Sequence, residues 1–200
     1  SGATTVSSAS HIAYQSGIKV FSTGGVGGVH RGYNESLDMS QDILSLSQTP
    51  IVVVCSGVKS FLDVKKTIEA LETYGVTTVG YKTDSFPLFY SSNSKHKLQY
   101  IFKNTERLAS LYKNNIRNSL KSSILVLNAV PKSKEIPERK IKDIISVAIK
   151  KMNRKDVTGK ETTPFLLNEI AVKTNNKSLN TNIHLALNNI KLGAKIAKKL

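Results

Sequence analysis

The sequence predicts an α/β fold, a mixed and largely parallel sheet flanked by helices in three layers. Apolar runs at 18–22, 51–55, 76–81 and 124–130 alternate with segments whose apolar residues recur at helical spacing. Ile51-Val52-Val53-Val54-Cys55 is apolar at every position, as expected of a strand covered on both faces. Turn residues close these runs, among them the glycine-rich stretch Thr23 to Gly32 and Pro131.

The elements are expected in this order. A helix over 5–15 precedes the strand 18–22 and the glycine loop. A helix over 36–47 carries Leu37, Ile43, Leu44 and Leu46. After the strand 51–55 and the turn Ser56-Gly57-Val58-Lys59, Ser60-Phe61-Leu62-Asp63 reads as a capping box opening a helix to about Tyr74. Gly75 stops that helix before the strand 76–81. A helix over 100–118, a strand over 124–130 and a polar loop over 132–138 follow. Helices over 139–153, 163–173 and 179–199 complete the chain. No internal repeat or long linker divides it, so 1–200 reads as one domain.

Composition narrows the function classes. The chain has 200 residues, and no apolar stretch reaches the roughly 18 residues of a membrane span. Ser1-Gly2-Ala3-Thr4-Thr5 has no basic n-region, no signal-peptide core and no initiator Met, which points to a processed chain or a fragment. Cys55 is the only cysteine. That excludes an internal disulfide and a cysteine-based zinc site, and fits a reducing compartment, the cytoplasm before an organelle.

The net charge of +15 is concentrated in the second half: 8 Lys/Arg face 7 Asp/Glu in 1–100, and 21 face 7 in 101–200. A basic half can bind RNA or form a lysine-rich helical exterior. Lysines alternating with helix-spaced apolar residues, and only Phe102, Tyr112 and Phe165 as aromatics there, favour the exterior over nucleic acid.

Four glycines in five positions, Gly24 to Gly28, suggest close approach of main chain to a ligand. His30 at the loop's exit is either structural or a phosphate contact. Lys59 follows an apolar strand, where ligands of parallel sheets bind, and precedes the expected helix start. It reads either as a snorkelling surface lysine or as an amine kept neutral for Schiff-base chemistry.

Asp38 and Asp42, four apart on one expected helix, share a face. They are either dipole-stabilised carboxylates or ligands of Mg²⁺ or Mn²⁺, with Ser40 between them free to donate to phosphate. Asn182, Asn188 and Asn189 are poor choices for a helix interior, so one of them, Asn182 by preference, is expected to face something polar. His30 stands where a dinucleotide fingerprint needs its third glycine, and no P-loop, G-x-S-x-G or H-E-x-x-H is present.

The chain resembles the pseudouridine-5′-phosphate glycosidase (indigoidine synthase A) family. The resemblance rests on Gly2-Ala3-Thr4-Thr5-Val6, Phe21 through Gly32, Val54 through Ser60, Leu71 through Val76, Gly80 through Pro87, Gly159 through Leu167, and Asn182-Ile183. It runs in order over nearly the whole chain and is weakest over 91–123.

It implies cleavage of pseudouridine 5′-phosphate to uracil and ribose 5-phosphate, with a divalent metal, typically manganese. Lys59 is implied to attack the anomeric carbon, ring opening and a Schiff base supplying the electron sink. Asp38 is implied as the metal ligand, and Val6 with Ser40, Gln41 and Asp42 as substrate contacts. Thr23 and His30 lie on the phosphate side and Asn182 on the sugar side. A trimer is implied too. The family also carries a further N-terminal portion with a general-acid glutamate and a substrate-binding lysine, neither of which lies in these 200 residues. The alternatives are a noncatalytic relative that binds sugar phosphate and a basic RNA-binding module.

Overall fold

The computed structural model describes residues 5–200, with Lys160 described by its backbone alone. Of the segment Gly2-Ala3-Thr4-Thr5-Val6, the first three residues therefore lie outside the described residues.

Among the described residues five strands form one sheet: β1 (Val20–Ser22), β2 (Val52–Cys55), β3 (Thr77–Tyr81), β4 (Ile101–Phe102) and β5 (Ile124–Leu127). Their order is β1-β2-β5-β3-β4, and every ladder between them is parallel. The expected largely parallel sheet is thus found, and its ladders are parallel throughout. Among the described residues antiparallel pairing survives only as isolated bridges in the loops. The two central strands are buried at every position, as the uninterrupted apolar runs require.

Alternation along the strands builds the three layers. Val52, Val54, Val79, Ile124 and Val126 pack with Leu108 and Tyr112 of α5 (Thr105–Arg117) and with Leu192 and Ile196 of α8 (Lys177–Ala197). Val53, Cys55, Leu125 and Leu127 face the other way. That side is covered by α1 (Val6–Gln15), α3 (Gln41–Gln48), α4 (Val64–Thr73), α6 (Glu138–Arg154) and α7 (Thr162–Lys173).

Three expectations shift, each for a local reason. The helix expected over 36–47 begins only at Gln41, as α3, and a separate single turn α2 (Tyr33–Ser36) precedes it. Leu37 adopts a left-handed φ of 54°, which ends α2, and Ser40 caps α3 by accepting from the Asp42 N–H at 3.2 Å. The helix expected from Ser60 starts at Val64, because Asp63 is the cap and accepts from the Lys66 N–H at 3.1 Å. The helix expected from 100 starts at Thr105 under an Asn104 cap, and Ile101–Phe102 instead forms the edge strand β4. No helix of the described residues is long and apolar enough to cross a membrane.

Candidate functional site

The glycine loop is the organising element. It continues the β1–β2 ladder beyond the strands. The Thr23 N–H donates to Val54, Ser56 to Gly24, Val26 to Gly57 and Lys59 to Val26, at 2.9–3.2 Å. A parallel bridge joins Val26 to Val58. Past Val26 the loop turns its other edge to the segment before α3. The His30 N–H donates to Asp38 O at 3.0 Å and Ser40 N–H to Gly28 O at 2.9 Å, with Val29 and Met39 in antiparallel register. One loop therefore holds the Lys59 turn on one side and Asp38 to Ser40 on the other, at the carboxyl end of the parallel strands.

The glycines serve this packing. Gly24, Gly25, Gly27 and Gly28 are not in the left-handed region. A Cβ at Gly25 would overlap the Phe89 ring, one at Gly27 would overlap Ser40, and one at Gly28 would overlap Thr67. The close approach foreseen for a ligand is, at these three positions, an approach to the protein's own side chains. Gly24 differs: its missing Cβ would stand 3.1 Å from Asn182 Oδ1.

Asp42 is buried, and its two oxygens accept from the backbone N–H of Ser7 at 2.9 Å and of Gly27 at 2.7 Å. This carboxylate ties the start of α1, where Val6 sits buried, to the glycine loop. Asp38 and Asp42 do not share a helix face, because Asp38 lies before α3. Asp38 is exposed, and its Oδ2 stands 3.6 Å from His30 Nδ1. Gln41 is exposed at the start of α3, and the Ser40 hydroxyl oxygen accepts the cap bond, which leaves its O–H unspent by the cap.

Thr23 and Lys59 are partly buried. Lys59 occupies a turn of its own, one turn ahead of α4 and its positive dipole end. A cleft of about 350 Å³ touches Arg31 and Ser60, the chain neighbours of His30 and Lys59, but is lined by neither His30 nor Lys59. Among the described residues no three His, Cys, Asp or Glu side chains converge as a metal cage. What is available is the Asp38 carboxylate beside His30. That donor set fits a hard ion such as Mg²⁺ or Mn²⁺ that keeps most of its waters.

Asn189, singled out in the sequence behind the preferred Asn182, stands at the centre of a buried polar network. It is fully buried, and Nδ2 donates to Thr23 O at 2.8 Å and to the Ser56 hydroxyl at 3.1 Å. Its Oδ1 accepts from Asn128 Nδ2 at 3.0 Å. The signal was present. Asn182 and Asn189 are seven apart and so share a face of α8, but only packing tells which end of that face is dry.

The family model described as indigoidine synthase A like protein matches residues 1–199. The chain is 48% identical over 199 residues to a pseudouridine-5′-phosphate glycosidase of Alkaliphilus metalliredigens, covering all of this chain and 65% of that one. It is 47% identical over 200 residues to the enzyme of the same name from Thermosipho africanus, covering 67% of it. The chain thus spans about two thirds of the length of these relatives.

An indigoidine synthase A-like protein from Thermotoga maritima superposes with a TM-score of 0.88 at 38% identity, over 96% of this chain and 63% of that one. A prealnumycin C-glycosynthase, solved with ribulose 5-phosphate, superposes at 0.92 and 28% identity over 100% of this chain and 66% of that one. With its β1–β2 ladder extended into a glycine loop and a match along 199 residues, this chain belongs to the indigoidine synthase A-like family.

Proposed function

We propose that this chain forms the larger part of a pseudouridine-5′-phosphate glycosidase, a nucleotide-catabolic enzyme that splits the carbon–carbon glycosidic bond to uracil and ribose 5-phosphate. The observation that carries the reading is the bridge between Val26 and Val58, which sets Lys59 beside the glycine loop in a chain 48% identical to a relative of that name.

In the proposed reaction the Lys59 amine bonds to C1′ as the C1′–O4′ bond breaks, and O4′ takes a proton to become a hydroxyl. The C1′–carbon bond to uracil then breaks, its electron pair remaining on the uracil carbon, which takes a proton. The nitrogen lone pair closes the C=N bond of a Schiff base. Water hydrolyses the imine, releasing ribose 5-phosphate and restoring the amine.

Thr23, His30 and Asn182 bind the sugar phosphate, and Val6 with the Ser40-Gln41-Asp42 stretch lines the substrate. Asp42 acts through the backbone it holds. Asp38 would hold the divalent ion, taken as manganese, which supplies local positive charge to an anionic substrate. The active assembly is taken to be a trimer, with no membrane or nucleic-acid partner.

The test is borohydride reduction of the complete protein that contains this chain, in the presence of ribose 5-phosphate. A reduced adduct mapped by peptide mass to Lys59 is expected, and none with Lys59→Arg. Absence of an adduct on Lys59 in an active preparation overturns the assignment. The 200-residue chain alone is expected to be inactive or very weak.

A further inference from the structure

We propose that Asn189 is a positioning residue that registers the glycine loop against the Lys59 turn. The proposal rests on the reading of Lys59 as nucleophile.

Asparagine is unfavourable inside a helix, and a buried amide must find partners. Asn189 finds them at the carboxyl ends of three strands. Its Nδ2 reaches Thr23 O at 2.8 Å, Ser56 Oγ at 3.1 Å and, more weakly, Gly24 O at 3.4 Å. Its Oδ1 accepts from Asn128 Nδ2 at 3.0 Å, with Ser56 Oγ at 3.4 Å. The Ser56 hydroxyl donates to Asn128 O at 2.8 Å, closing the network between β2 and β5. Ser22 Oγ approaches Asn189 O at 3.3 Å. Gly193, one turn later, lets α8 press against β1, because a Cβ there would overlap the Ser22 hydroxyl.

These contacts sit at the root of the loop ladder. The bond from Ser56 N–H to Gly24 O is its first rung after Thr23, and the rung from Lys59 N–H to Val26 O is its last. Loss of the Asn189 grip frees Thr23 and Ser56 together, so Lys59 drifts relative to the sugar-phosphate side of the site. Both ends of the amide are engaged with protein, so Asn189 acts through the loop rather than on substrate. A buried network of this kind is stiff when fully satisfied and disruptive when partly so.

Asn189→Asp keeps the shape but sets an oxygen against Thr23 O. Ser56→Ala removes one arm and is the milder variant. Both are made in the complete protein and assayed by cleavage kinetics on pseudouridine 5′-phosphate, borohydride trapping, and amide hydrogen exchange over 23–32 and 56–62. For Asn189→Asp, kcat is expected to fall on the order of 10²-fold with KM little changed, since small misplacements of reacting groups carry penalties of that size. Exchange is expected to rise in both segments.

Unchanged kcat, or lower kcat with unchanged protection of both segments, overturns the proposal. A wild-type protein that neither cleaves nor traps overturns the functional reading instead. The exchange arm then still decides on positioning, and unchanged protection counts against it. If Asn189→Asp does not fold, Ser56→Ala decides by the same criteria, with a smaller expected loss.

Discussion

Asp42 accepts the backbone N–H of Gly27 at 2.7 Å, and with its second oxygen that of Ser7 at 2.9 Å. A buried carboxylate held by two main-chain donors is an anchor, and removing it strands both amides. Asp42→Ala is expected to destabilise the fold by about 2–3 kcal/mol, and Asp42→Asn, which keeps one acceptor, by less. Urea unfolding measures this directly. Equal stability of Asp42→Ala and wild type would show that the anchor contributes nothing.

The glycine loop makes a second test. Gly27→Ala forces a Cβ into the Ser40 hydroxyl and Gly28→Ala forces one into Thr67, so each is expected to cost about 1–3 kcal/mol through overpacking. Gly17 is the contrast, with φ +78° but open space around it. Gly17→Ala is expected to lower stability only by its backbone strain, on the order of 1 kcal/mol. Thermal unfolding of the three variants should rank Gly17→Ala mildest, and the reverse ranking would mean that the loop yields easily to a methyl group.

The sheet was legible because burial on both faces leaves a plain signature: Val52 to Cys55 and Ile124 to Leu127 are apolar without a break. Helix starts were less so. Ser60 and Asp63 are both competent caps, and the one that wins, Asp63, also has its backbone N–H held by Val29 O, a partner over thirty residues away. The pairing of Asp38 with Asp42 failed for a related reason, since a left-handed Leu37 cannot be read from a leucine. The residues proposed for the site come from family resemblance rather than from a local pattern. Asn189 stands out as a poor choice for a helix interior, but its wiring to Asn128 and Ser56 depends on long-range packing.

Burial pushes the Cys55 thiol up from 9.0 to about 12. The native protein should therefore resist iodoacetamide at pH 8 and react when unfolded in urea. The linkage has a definite sign. Above pH 9 the unfolded chain releases the thiol proton while the folded chain keeps it, so folding stability is full below pH 9 and declines as pH rises toward 12. The decline should approach about 1.4 kcal/mol per pH unit from this group. Tyr90, raised by burial from 10.0 to about 12, adds to it above pH 10. Cys55→Ala should be less stable at neutral pH yet show a shallower fall between pH 9 and 10. An unchanged slope would assign alkaline lability to other groups.

Asp38 lies opposite His30 across the antiparallel pairing that also aligns Val29 with Met39, and its carboxylate is exposed rather than committed to backbone. This separates it from Asp42, whose oxygens are already engaged. If the divalent ion sits on Asp38, Asp38→Asn in the complete protein should abolish high-affinity Mn²⁺ binding, so that the protein no longer diminishes the free-ion signal in electron paramagnetic resonance titrations. Outer-shell substitutions typically weaken metal binding by about 10–100-fold, and removal of the one charged ligand should exceed that. Global stability should hardly change, because an exposed carboxylate 3.6 Å from one imidazole contributes at most about 1 kcal/mol. Asp42→Asn should show the opposite pattern, with stability reduced and Mn²⁺ affinity largely kept wherever the protein remains folded. Manganese binding that survives Asp38→Asn would move the ion to other ligands and leave Asp38 as a partner of His30 alone.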